Sequence, residues 1–224
     1  MNDSSTCGPT AMYAMHEALR RELRHLAQAD GRANRPGREP CHRPTRSAGW
    51  ALLKKALHAH HAAEDEALWP VLRDALAGRS SELALLEAME AEHAALDPLV
   101  HAVDEATAAA RTGSGSGADL LGHLVDSLVT GLAGHLRHEE EAALPLAKAF
   151  LTPDQWTRFG RVHTQRIGTD AAEMLPWLLD GADPLTATAL LSTLPPPARR
   201  AYERYWQPAY AALDRWNTPA PAPA

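Results

Sequence analysis

Sulfur, aromatic rings and long apolar runs are all scarce in this chain. Only two cysteines occur among 224 residues, Cys7 and Cys41. They form no metal motif, so both are expected as free thiols and a disulfide-stapled fold is set aside. Aromatic residues make up 5% of the chain. β-Branched residues are also few and the apolar content is mostly Ala and Leu, which disfavours strands and favours helices. No apolar run approaches the roughly 18 residues of a membrane-spanning helix. Residues 1–9 are polar and lack the apolar centre of a secretion signal. Positive charge is in deficit, with 22 Lys and Arg against 28 Asp and Glu and a net charge of −6. That balance weighs against nucleic acid and against an anionic membrane surface as partners. A cytoplasmic protein is the expectation.

What is present is enough apolar material, 45% of residues, for one ordinary domain with an appendage. After a loose leader over 1–9, the pattern predicts a first helix from Thr10 to Ala29 with the stripe Met12, His16, Leu19, Leu23 and Leu26. A Pro-, Gly- and Arg-rich loop is expected over 30–45. Ser47 caps a second helix that ends at Gly78 and is kinked or broken at Pro70. A third runs from Ser80 or Ser81 to about Arg111, with the stripe Leu83, Leu86, Glu90, His93, Leu96, Val100 and Val103 and a bend at Pro98. Thr112 to Gly117 reads as a flexible linker. A fourth helix covers 118–150, with Pro145 in the place of Pro70. Four long amphipathic helices with these connections predict an all-α, up-down-up-down four-helix bundle over 10–150. Residues 151–217 read as further helices packed on it, beginning at Thr152 and rich in tryptophan, and 218–224 as a disordered tail.

Two stretches say the same thing. His60 to Pro70 and His135 to Pro145 each carry His, then Glu four residues on, then an acidic pair, three apolar residues and Pro. Residues at i and i+4 share a helix face. His60, Glu64, His135 and Glu139 also interrupt otherwise apolar stripes, so they belong to the buried face. An ionised carboxylate there must be neutralised, paired or bound to a metal, and few Lys or Arg lie on these stripes. Each of the four helices thus brings one core-facing histidine: His16, His60, His93 and His135. Four imidazoles and two carboxylates exceed the needs of one tetrahedral zinc and suit a pair of iron or manganese ions.

In these residues the chain resembles the haemerythrin-like, HHE cation-binding domains. The resemblance covers roughly 10–150 and rests on His16, His60-x3-Glu64, His93 and His135-x3-Glu139, with the Trp69-Pro70 and Leu144-Pro145 endings. The helices beyond 151 resemble the extension of some actinobacterial members. The resemblance implies a non-haem di-iron centre in which His16 and His60 bind one iron and His93 and His135 the other. Glu64 and Glu139 would bridge, with an oxo or hydroxo group between the metals, and Mn or Zn could substitute. O2, peroxide or NO is the implied partner. Oxygen-carrying members have a second histidine one turn beyond that on the third helix. Here Asp97, followed by Pro98, stands in its place, which turns the expectation from a simple reversible carrier toward oxygen- or peroxide-reactive chemistry. A di-iron oxidase or oxygenase acting on a small organic substrate and an iron or redox sensor are the alternatives.

Other polar residues carry lesser expectations. His61 and His138 are added ligands or hydrogen-bond partners of ligands. His163 is a core histidine that could cap the site. His25, His58, His101 and His123 are solvated. Asp65, Glu66, Glu140 and Glu141 form a solvated face or an outer ring around the site. Arg20 can pair with a site carboxylate, and Tyr13 can gate the pocket.

Overall fold

The computed structural model describes residues 7–33, 45, 47–109 and 115–217. Cys41 and the side chain of Cys7 lie outside these residues, as does the 218–224 tail expected to be disordered. No described helix is long and apolar enough to cross a membrane, and the described residues form an all-α structure.

Helix α1 spans Cys7–Ala33. It starts before Thr10 because Pro9 lies in the first turn, where a missing N–H is harmless. It also runs past Ala29, so the predicted loop is partly helix, and its remainder at 34–44 lies outside the described residues. Ser47 accepts a hydrogen bond from the Trp50 backbone N–H at 3.1 Å and caps α2, Ala48–Ala67. The chain breaks at Leu68 and resumes as α3, Trp69–Ala75, with Pro70 in its first turn. Gly78 then takes φ +85°, which glycine adopts without steric penalty. Helix α4, Ser80–Ala109, runs through Pro98 unbroken. Helix α5, Gly115–His138, begins inside the stretch expected as linker; 110–114 are outside the described residues. A single π-helical turn, Glu139–Ala143, joins α5 to α6, Leu144–Phe150. The two similar sequence stretches therefore end differently. At the first, the Leu68 N–H bonds the Glu64 carbonyl, a four-residue step; at the second, the Leu144 N–H reaches the Glu139 carbonyl, a five-residue step.

The order of side chains along each long helix reveals the topology. One apolar cluster contains Leu19 and Leu23 of α1, Leu53 and Leu57 of α2, Leu96 and Val103 of α4, and Val125 and Leu132 of α5. A second contains Met12, Ala63 and Ala67, Leu86 and Met89, and Ala143 and Leu144. Helices α1 and α4 run from the second cluster to the first, and α2 and α5 run back. This is the up-down-up-down bundle. His16, His60, His93 and His135 fall where each helix passes between the two clusters.

The helices after Leu151 lie mainly against α1 and α2. Thr152 opens α7, Pro153–Ile167, with a reciprocal capping box to Gln155. Helices α8 (Ala171–Leu179), α9 (Pro184–Ser192), α10 (Pro196–Ala201) and α11 (Gln207–Ala211) follow. Trp156, Phe159 and Val162 of α7 join the second cluster, while Met174, Trp177 and Tyr210 join the first. The final turn is pinned through Trp216. Its indole N–H donates to the fully buried Glu22 at 2.8 Å, and its ring stacks with His25 at 6.1 Å. It also lies directly over Gly49, whose backbone N–H bonds the Arg215 carbonyl at 2.7 Å.

A methyl group at Gly49 would lie 2.6 Å from the Trp216 ring. Gly49→Ala should therefore destabilise the protein by about 1–3 kcal/mol despite alanine's higher helix propensity. In a Trp216→Ala background the same change should be neutral or stabilising by up to about 1 kcal/mol. Denaturant melts of the four proteins test this; a Gly49→Ala variant more stable than the parent would refute the docking of Trp216.

Candidate metal centre

The layer between the two clusters is polar and buried. His16, Glu64 and Glu139 are 0% exposed, His60 1%, His135 3% and His93 4%. The six side chains singled out by the sequence are thus brought into one closed group. His16 Nε2 lies 3.0 Å from His60 Nε2, and His93 Nε2 lies 3.2 Å from His135 Nε2. Glu64 reaches both pairs, 3.3 Å to His60 and 3.5 Å to His93. Glu139 does the same, 3.2 Å to His16 and 3.8 Å to His135. Yet no donor is aligned on any of the four carboxylate oxygens of Glu64 and Glu139, which are enclosed and without hydrogen bonds.

The outward nitrogens explain the inward ones. His16 Nδ1 lies 2.8 Å from Glu140, His93 Nδ1 2.9 Å from Asp65, and His135 Nδ1 2.8 Å from Glu92. An ionised carboxylate only accepts, so each of these Nδ1 atoms carries the proton. In the neutral ring Nε2 then presents a lone pair to the interior. This is the carboxylate–histidine arrangement that orients metal-binding imidazoles. Arg20 continues the chain outward, donating to both oxygens of Glu140 at 2.9 and 2.7 Å.

Inward lone pairs facing one another and bare buried carboxylates repel unless positive charge lies among them. Without a metal, protons serve that role. Burial opposes charge on His16, but Glu139 and Glu140 outweigh it and raise its pKa to about 9. Burial and the nearby Glu139 push Glu64 well above the usual carboxylate range. Glu139 is also penalised by burial, but His16 and His135 draw it below that range. Burial, reinforced by the charge on His16, drives His60 well below its ordinary value. Donor chemistry and spacing fit metal ions. One ligand atom from each of His16, His60, Glu64 and Glu139 lies within 4.8 Å of the others, and so does one from each of His61, His93 and His135.

The remaining sequence expectations divide. Asp65 and Glu140 form part of the outer ring, whereas Glu66 pairs with Arg166 and Glu141 is exposed. Arg20 pairs with a carboxylate one step removed from the inward group. His138 donates to Glu92 at 2.8 Å and faces away. His163 packs near His60, at 6.1 Å between rings, and its Nε2 is enclosed without a partner. His58, His101 and His123 are exposed; His25 is instead half-buried against Trp216. Glu90 lies off the group and pairs with Arg73. Tyr13 gates nothing here, since it faces outward at 36% exposure beneath Lys148, beside a surface recess that contains none of these histidines. Sequence reasoning missed Glu92. Its only signal was an acid adjacent to His93, and its partners come from α5.

Comparison with known families matches the hemerythrin HHE cation binding domain to residues 7–147. No curated protein and no solved structure matches the chain.

An entering ion must displace the protons held on His16 and Glu64, so uptake should release protons. In the metal-free protein the His16 pairing contributes stability that is complete below pH 6.5 and lost as pH rises through about 9. Metal affinity should run the opposite way, tightening by about tenfold per pH unit for the proton displaced from His16 until pH 9 is passed. Calorimetric titration in buffers of different ionisation enthalpy reads the proton count; uptake independent of pH between 6.5 and 9 would contradict it.

Proposed function

The chain belongs to the family of the hemerythrin HHE cation binding domain, and from that premise we propose that it holds two iron ions that bind or react with O2, peroxide or NO. His16 and His60 would hold one ion and His93 and His135 the other, with Glu64 and Glu139 shared between them. When bound, a ferrous pair supplies electrons and a coordination position for a small oxidant; manganese or zinc can occupy such a donor set without the same redox chemistry.

One observation carries this reading: ring nitrogens from four helices converge on two bare carboxylates in a layer from which solvent is excluded. The residues themselves do three things. Glu140, Asp65 and Glu92 hold three of the imidazoles in the tautomer that turns Nε2 inward. The apolar clusters above and below keep water out and strengthen every electrostatic contact inside. Burial of all six side chains favours a diatomic or similarly small molecule over a bulky organic substrate.

Anaerobic loading with ferrous iron should give two ions per chain. His60→Ala and Glu139→Ala should each fall well below two, whereas exposed His58→Ala should not. Admitting oxygen then separates the chemistries: a stable, reversible visible band marks binding or sensing, and rapid conversion to ferric product marks an oxidase. Equal iron in all three variants would end the assignment.

A further inference from the structure

His61 follows His60 on α2 but serves the opposite half of the layer. It is 5% exposed. Its ring lies face to face with that of His93, 3.9 Å between centroids and 7° between planes, and edge-on to that of His135 at 5.1 Å. Its Nε2 is enclosed and has no hydrogen-bond partner. One nitrogen from each of His61, His93 and His135 falls within 4.8 Å of the others. A polar nitrogen is rarely buried bare, and three together are a donor set for a cation. Asp97, one turn beyond His93, is exposed, so α4 brings only one imidazole to this half.

Resting on the two-ion reading above, we propose that His61 is a third imidazole donor to the ion held by His93 and His135. Face-to-face rings cannot both hold one ion in their planes, so ligation turns His61 off the His93 ring about its Cα–Cβ bond. The two ion positions are then unequal, with three histidines at one and two at the other.

Cobalt(II) alone is the probe. In the Co(II)-loaded protein each ligating imidazole gives a paramagnetically shifted, exchangeable ring N–H proton resonance. Wild type should show five. His61→Ala and the volume-keeping His61→Leu should show four, with helix content unchanged by circular dichroism. Free imidazole should restore the fifth in His61→Ala, where it has room, and not in His61→Leu. The weaker Co(II) affinity should fall by more than the roughly 10–100-fold expected from losing a group that only orients a ligand, and His58→Ala should leave it unchanged. Four resonances in wild type, or five in both His61 variants, would overturn the third donor while leaving the two-ion reading intact. A wild-type chain that takes up no Co(II) would overturn both.

Discussion

Two glutamates enclosed in the bundle interior govern this molecule. Glu64 and Glu139 are 0% exposed and lack aligned donors, and an ionised carboxylate in that setting is penalised by several kcal/mol unless positive charge accompanies it. The bundle interposes one polar layer between two apolar clusters, so every long helix must pass a histidine through that layer. The antiparallel order makes this possible: each helix reaches the same depth from alternate directions, and four imidazoles meet at one level.

The layer is connected to the surface. Glu140, Asp65 and Glu92 come from helices other than those of the histidines they hold, so each imidazole is oriented across a helix–helix contact. Arg20 extends one of these links to solvent through Glu140. The π-helical turn beginning at Glu139 belongs to the same arrangement. It widens the helix by one residue between the inward Glu139 and Pro145, where a regular helix would already be strained by the proline.

Much of this was legible because helical periodicity is a strong signal. His16, His60, His93 and His135 stood out as polar residues on apolar stripes, and the repeated His-x3-Glu-to-Pro pattern marked the two glutamate-bearing helices. Ends were less legible. Pro9 looked like a boundary and is a first-turn residue; Gly115 looked like linker and starts α5. The π turn left no trace, since both stretches carry the same pattern and only tertiary packing distinguishes them. Glu92 and the facing of His61 were hidden for a related reason: their meaning lies in partners on other helices, which a single helix's periodicity cannot reveal. Tyr13 misled because a residue three before His16 lies only about 60° round α1 from it, and that turn is still enough to carry its ring off the buried stripe and outward.

The helices after Leu151 lie mainly against α1 and α2, so the two halves of the bundle are not equally braced. His16 and His60 sit on the covered pair, His93 and His135 on the pair whose outer faces meet solvent. Local opening is cheapest where fewest apolar contacts must part. The α4–α5 half of the layer is therefore the one that owes its order to the bundle alone, while the α1–α2 half is also held by the helices that follow Leu151.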